Sequence, residues 1–332
     1  MIMQATKLEH LVDQVGKFAP IRIAVAGAAQ PVVIETLHEA HGLGFIEPRL
    51  VGEPDKIAKL CKKAGWNVPQ SWIIAAATDE KAARTSADLV RGGEVEAIMK
   101  GLIHTDTLMR VLLDSEKGLR IPGERVSHVF VTEVKAYPKL LGITDAAINI
   151  SPNLIAKSQI LQNAIDLFHA LGVETPKVAV LSAVETINPD VVSTLDAACL
   201  TLMSHRGQIN GALVEGPLAF DNAISQSAAQ EKGIDSQVAG AADILLVPDL
   251  VSGNILAKNL EYLAGAIAAG VVVGLTVPVA LTSRADPAPS RLASLALVAA
   301  MHRSAPKAFP VIDCHERSFH AAPQNEESCC PI

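Results

Sequence analysis

Residues 277–290 read VPVALTSRADPAPS. Val277, Val279 and Leu281 alternate with the period of a strand. The strand runs into a polar turn holding Ser283, Arg284 and Asp286, and Pro287 and Pro289 then hold off a helix until Ser290. Open α/β sheets place their ligands at the carboxyl ends of buried strands, where this one delivers a hydroxyl, a guanidinium and a carboxylate. The planar fork of an arginine suits phosphate. The same residues also describe an ordinary strand-to-helix loop with solvated charges, so their meaning depends on the rest of the chain.

Just upstream, residues 263–283 carry no charge and are long enough to cross a bilayer. Gly265, Gly270, Gly274 and Pro278 interrupt the run. A helix end (LAGAIAAG, 263–270) followed by one buried strand (VVVGLTVPVAL, 271–281) explains it without a membrane. Toward the N-terminus, strand-length apolar runs alternate with amphipathic helix-length segments. IRIAVAGA (21–28) reads as the first strand and PVVIETLHEAHGLG (31–44) as a helix ended by Gly42 or Gly44. PRLVG, WIIAAA and AIMKG follow as strands, separated by EPDKIAKLCKKAG and DEKAARTSADLVRGG as helices. VSHVFVTEV (126–134) and GITDAAINI (142–150) read as an antiparallel pair across a short Tyr137-Pro138 connection. A helix beginning near Pro152 comes next, and then the strands KVAVLSAV, GALVEGPLAF and ADILLVPDL with helices between them. This alternation predicts a doubly wound α/β fold. The pattern places a domain boundary near residue 125, and the last fifteen or so residues read as a disordered tail.

Composition agrees. Hydrophobic residues make up 49% of the 332 residues but aromatics only 3%, so the core is aliphatic, as in sheets covered on both faces. A net charge of −7 without a basic stripe argues against a nucleic-acid partner. The five cysteines, Cys61, Cys199, Cys314, Cys329 and Cys330, have no metal-like pair spacing and point to a reducing cytoplasm. Cys329 and Cys330 sit in a polar tail and read as exposed and chemically labile. The N-terminus lacks the apolar core of a signal peptide. No His or Cys pair has metal-ligand spacing, no Walker loop is present, and AVAGAAQP is a poor dinucleotide fingerprint.

Five segments in order resemble the phosphate acetyltransferase and phosphate butyryltransferase family. They are MKGLIHTDTLMRVLL (99–113), ITDAAINISPN (143–153), VEGPLAFDNAI (214–224), AGAADILLVPDLVSGNILAK (239–258) and VPVALTSRADPAPSRLASLALVAAMHR (277–303). The resemblance covers about residues 20–305. It implies two α/β domains with an interdomain cleft, in a fold like that of isocitrate and isopropylmalate dehydrogenases. The first domain is then 1–124 plus 271–332 and the second 125–270. It also implies a cytoplasmic homodimer, no permanently bound cofactor, and acyl-CoA and phosphate as substrates that exchange acyl phosphate for CoA reversibly. Such a reaction needs a held phosphate, a stabilised oxyanion and a group to manage the thiol proton.

The resemblance assigns these needs to residues. Arg284 matches the family arginine on the phosphoryl end of the substrate, and Ser283 the serine that hydrogen-bonds the reacting centre. Arg110 matches a second phosphate-contacting arginine in a DTLR-like motif. Here the extra Met109 turns it by about 100° on a helix, and an exposed helix arginine is the other reading. His104 and Thr105, at the start of that helix, offer donors to an anion. The acetyltransferase branch carries a carboxylate seven residues after the serine, where this chain has Ser290. The nearest carboxylate is Asp286, read as the base, as a partner orienting Arg284, or as a turn residue before Pro287. The SRAD form resembles the butyryl branch. In PDLVSGN (248–254), Asp249 and Asn254 stand at another strand's carboxyl end, near the expected substrate. Asp145 reads as structural or cleft-lining.

Two other classes fit parts of the chain. A noncatalytic acyl-CoA-sensing regulator of the same fold would explain the missing carboxylate, but it leaves Ser283 and Arg284 without a role. A decarboxylating NAD(P)-dependent dehydrogenase on the related fold would need a nucleotide loop and a metal-binding aspartate cluster.

Overall fold

The computed structural model describes residues 5–283 and 286–304. The first part of the chain forms α1 (Leu8–Val15), β1 (Ile21–Ala26), α2 (Pro31–Gly42), β2 (Ile46–Gly52), α3 (Pro54–Lys63), β3 (Ile73–Ala75), α4 (Asp79–Arg91), β4 (Ala97–Lys100) and α5 (Thr105–Leu112). A middle part adds β5 (Ser127–Glu133), β6 (Leu141–Thr144), α6 (Leu154–Ala170), β7 (Lys177–Leu181), α7 (Val192–His205), β8 (Leu213–Leu218), α8 (Phe220–Ile224), α9 (Gln226–Glu231), β9 (Ile244–Leu246) and α10 (Leu250–Tyr262). The chain continues through β10 (Ile267–Val273), β11 (Val279–Ala280) and α11 (Ala288–Ser304). Local chemistry fixes several starts. Pro31 and Pro54 open α2 and α3, where a missing N–H costs nothing. Thr78, Asn153 and Asp249 cap α4, α6 and α10 by accepting from the backbone N–H of Lys81, Ala156 and Ser252.

The strands join one sheet in the order β3-β2-β1-β4-β11-β10-β5-β6-β9-β7-β8. β3, β2, β1, β4 and β11 are mutually parallel. β10 runs antiparallel to both β11 and β5, and β5 antiparallel to β6. β6, β9, β7 and β8 are again parallel. Each half is thus a parallel α/β layer, and the strand direction reverses across the middle. Helices cover both faces, and the core is built from Val, Ile, Leu and Ala, with Phe45 and Phe168 as its fully buried aromatics. This is the α/β fold the alternation predicts, and the 126–150 pair is antiparallel as expected, with Val129 opposite Thr144.

Four local readings need correction. LAGAIAAG does not end a helix: α10 stops at Tyr262, and residues from Ile267 onward form central strand β10. The alanines prefer a helix, but pairing on both sides overrides that weak preference. VVVGLTVPVAL is not one strand either. It folds back at Gly274, whose φ is +81° and whose missing Cβ would overlap the Arg125 carbonyl. Finally, α11 begins at Ala288, ahead of Ser290, because Pro289 falls in its first turn, where proline is tolerated. The second strand of the antiparallel pair also ends early. Asp145 accepts from the backbone N–H groups of Ala147, Ile148 and Asn149 and draws the chain off the ladder. Among the described residues no helix is long and apolar enough to cross a membrane. Cys314, Cys329, Cys330 and the expected tail lie outside the described residues.

Candidate active site

The segments leaving the carboxyl ends of β4, β11, β6 and β9 meet over the central strands β10 and β5. They enclose a cavity of about 500 Å³. From β11 come Leu281, Thr282, Ser283 and Asp286; from the end of β4 and the start of α5 come Lys100, Ile103, His104, Thr105 and Asp106. Ala146 and Ala147 follow β6, and Leu250, Asn254 and Lys258 lie on α10. His128 and Phe130 of β5 form the floor.

The turn after β11 is tightly held. The Ser283 N–H donates to Asp286 Oδ2 at 2.7 Å. Arg291, buried in α11, reaches back with Nε to the Asp286 carbonyl (3.1 Å) and Nη2 to the Ser283 carbonyl (2.9 Å). Thr282 Oγ1 donates to the Lys100 carbonyl at 3.1 Å, which ties the ends of β11 and β4 together. Burial pushes the Asp286 carboxyl above its ordinary range, against the opposing pull of the Ser283 N–H and the charge of Lys258. Asp286 therefore serves the turn and also lines the cavity. Arg284 lies outside the described residues.

Lys100 is 5% exposed, with Nζ 3.3 Å from the Ile103 carbonyl. It brings a desolvated cation to the cavity wall, beside the first turn of α5. His104 takes the N-cap position of α5 without a side-chain capping bond, and Thr105 is the first helical residue. The free N–H groups of such a turn favour an anion. Lys258 adds a second cation, paired with Glu261 at 2.6 Å. Asn254 lines the cavity and donates from Nδ2 to the Ala146 carbonyl at 3.3 Å.

The structure brings together Ser283, Asp286, His104, Thr105 and Asn254. Arg110 points elsewhere: it is exposed on the second turn of α5 and does not line the cavity. Asp249 is spent on capping α10, accepting from Ser252 N–H at 2.8 Å, and also stays off the cavity wall. Ser290 is buried in the first turn of α11, and its carbonyl accepts from Ser294 Oγ.

Sequence reasoning passed over Lys100, His128, Phe130, Lys258 and Arg291. The first two carry a faint signal: Lys100 closes an apolar strand just before Gly101, and His128 interrupts one. His128 has no solvent exposure, and among the described residues neither ring nitrogen has a hydrogen-bond partner. A buried polar group left so costs about 1–3 kcal/mol. Burial lowers its pKa to about 4, although the Asp145 charge pulls the other way. Its ring meets Phe130 edge to face, with centroids 4.4 Å apart. Among the described residues no group of three His, Cys, Asp or Glu is placed to hold a metal ion.

Comparison with known proteins agrees with this architecture. Residues 55–300 match the family described as Phosphate acetyl/butaryl transferase. The chain is similar to a phosphate acetyltransferase of Rhizobium meliloti, 47% identical over 296 residues, covering 89% of this chain and 93% of the relative. It is similar too to a phosphate butyryltransferase of Clostridium acetobutylicum, 43% identical over 278 residues, covering 84% and 92%. Among solved structures, a branched-chain phosphotransacylase from Enterococcus faecalis V583 superposes with a TM-score of 0.74 at 31% identity, covering 85% of this chain and 99% of that one. A 4-hydroxythreonine-4-phosphate dehydrogenase from Burkholderia phymatum shares the fold alone, with a TM-score of 0.51 at 14% identity, covering 86% and 98%. The chain belongs to the phosphate acetyl/butyryltransferase family, and its reaction is acyl transfer between CoA and phosphate.

Proposed function

We propose that acyl-CoA and phosphate occupy the cavity together and that the acyl group passes directly between them. The observation that supports this reading is the mixed lining of the cavity: Lys100, Lys258, His104, Thr105 and Ser283 supply polar groups, and Ile103, Phe130, Leu250 and Leu281 supply apolar ones. An anion suits the first kind of group, and a short acyl chain the second. Ser283 hydrogen-bonds the reacting centre, and Arg284 binds the phosphoryl group. Asp286 takes the thiol proton when CoA attacks and returns it when phosphate does. His104, Thr105 and Asn254 complete the substrate contacts, and Arg110 and Asp249, which lie off the cavity wall, are left out of them. No resident cofactor is needed, because both substrates react in one complex.

The acyl group we favour is butyryl, on two grounds: the SRAD turn and the apolar floor around Phe130. Acetyl differs by two methylenes, worth about 0.8 kcal/mol each. We further propose a cytoplasmic homodimer. Its support is the outer face of α10 and the residues beside it, where Val251, Ile255, Tyr262 and Leu263 are exposed. The domain division 1–124 plus 271–332 against 125–270 is proposed alongside, supported by the reversal of strand direction in mid-sheet.

The test is loss of thioester absorbance on mixing the protein with acetyl-, propionyl- or butyryl-CoA, with and without phosphate. Phosphate-dependent loss fastest with butyryl-CoA is the expected result. Binding without turnover would instead favour an acyl-CoA sensor, with Ser290 as the reason.

A further inference from the structure

The turn that carries Ser283 and Asp286 has little of its own to fix its shape. β11 pairs with each neighbour over two residues only, Val279 and Ala280. Pro287 and Pro289 have no N–H with which to close the loop. Within the turn, the Asp286 N–H donates to the Ser283 carbonyl at a long 3.3 Å. The missing donors come from α11. Arg291 is 2% exposed, the largest fully buried side chain among the described residues. Its Nε and Nη2 reach the carbonyls at the two ends of the turn, Asp286 at 3.1 Å and Ser283 at 2.9 Å. The helix behind it is firmly seated: Leu295, Leu297 and Val298 have no solvent exposure. A guanidinium is a costly way to fill such a place, because arginine is rarely buried unless paired. Leu or Met would fill the same apolar helix face with no charge to desolvate.

We propose that Arg291 is a positioning residue for acyl transfer, a buried fork that fixes the Ser283 and Asp286 ends of the turn relative to each other and to α11. The proposal rests on the reading of Ser283 and Asp286 as the reacting pair of this cavity. Arg291 does not line the cavity wall, so it acts through these two residues and not on the substrate.

Two consequences separate this role from that of a brace needed only for folding. The first is geometric. A catalytic group displaced by about 1 Å can lose roughly 100-fold in rate while substrate contacts elsewhere stay in place. The second is electrostatic. Burial raises the Asp286 carboxyl, and the Ser283 N–H, the Lys258 charge and the Arg291 charge oppose it. Removing the guanidinium deletes one of these opposing influences and loosens the turn that supplies the Ser283 N–H. Both changes favour the protonated carboxyl, so the acid limb of kcat/KM moves to higher pH. The other charged and titratable groups facing this space are Lys100, His104 and Asp106 beside β4, His128 on β5, and Lys258 and Glu261 on α10. They are common to every variant, so a difference in the limb between variants reports on Arg291.

The experiment compares wild type, Arg291→Met and Arg291→Lys by steady-state turnover of butyryl-CoA with phosphate across pH, with thermal unfolding to fix the folded fraction. Per folded protein, Arg291→Met is expected to lose roughly 10–100-fold in kcat, with a KM for butyryl-CoA changed less than about threefold. Its acid limb should lie at higher pH than that of wild type. Arg291→Lys keeps the charge but has no planar fork for two carbonyls. It should hold the wild-type limb and recover about threefold or more of the lost kcat without reaching the wild-type rate. A kcat for Arg291→Met within about threefold of wild type overturns the proposal. So does a loss that follows the folded fraction and leaves the limb unmoved in both variants. Should Arg291→Met fail to fold, Arg291→Lys decides: a lowered kcat at unchanged KM upholds the role, and a wild-type kcat overturns it. If wild type itself consumes no short acyl-CoA with phosphate, the acyltransferase reading falls and takes this role with it. Wild-type turnover with an equally active Met variant removes the Arg291 role alone.

Discussion

Asp286 and His128 are shifted in opposite directions by the same cause. Burial raises the carboxyl and lowers the imidazole, so both are pushed toward their neutral forms. For Asp286 the sign is direct. A base must be ionised, and a raised pKa moves the acid limb of kcat/KM above the ordinary aspartate value of about 3.9. We expect Asp286→Asn to lower kcat/KM by roughly 10²–10⁴-fold and to erase that limb in a pH–rate profile. Because the folded pKa is raised, the neutral form favours the fold, and that contribution is lost as pH rises through the folded pKa. An amide is neutral at every pH, so the variant should melt no lower than wild type at pH 7. Ser283 and Asp286 were legible in the sequence because an apolar strand delivers them at its end. His128 and Lys100 were not. A polar residue within an apolar run has the same appearance whether it faces a helix or a cavity. Here the deciding neighbours, Gly270 and Thr282, lie more than 140 residues away.

At the scale of elements, the hairpin of β10 and β11 decides the site. An uncharged run such as residues 263–283 has the same composition whether it forms a helix end, one long strand or two short ones. Only the partners differ, and β5 and β4 are distant in sequence. Gly274 makes the hairpin possible through its left-handed backbone and close approach to Arg125. Alanine there meets both strain and backbone overlap, a combined cost of roughly 1–3 kcal/mol or more. Urea unfolding of Gly274→Ala should show that loss in its midpoint. Turnover should fall too, because the turn bearing Ser283 follows directly from β11. The helix-bearing parts of the chain were easier to read, since their starts and stops are local: Pro31, Pro54, Pro152 and the glycines after α3 and α4. Arg291 escaped notice because its job, bracing two carbonyls five and eight residues back, depends on how α11 enters the sheet.

At the scale of the whole molecule, α10 faces two ways. Leu250, Asn254 and Lys258 line the cavity, while Val251, Ile255 and Tyr262 are exposed. If the exposed face joins two copies, Ile255→Asp should yield a monomer in sedimentation velocity, with reduced turnover because the cavity wall shares that helix. An unchanged sedimentation coefficient would move the interface elsewhere. The proposed domain division has its own check: limited proteolysis should cut first near residues 120–125. The sheet order carries one more consequence. β4 and β5 are neighbours in sequence, but β11 and β10 stand between them in space. More than 130 residues separate the end of β5 from the start of β10. A ribosome adding 5–20 residues per second needs on the order of ten seconds to span that interval. During that time the nascent chain exposes two bare strand edges where the centre of the sheet will be, and such edges invite pairing with another chain. This makes the late arrival of the hairpin the step at which a chaperone matters most.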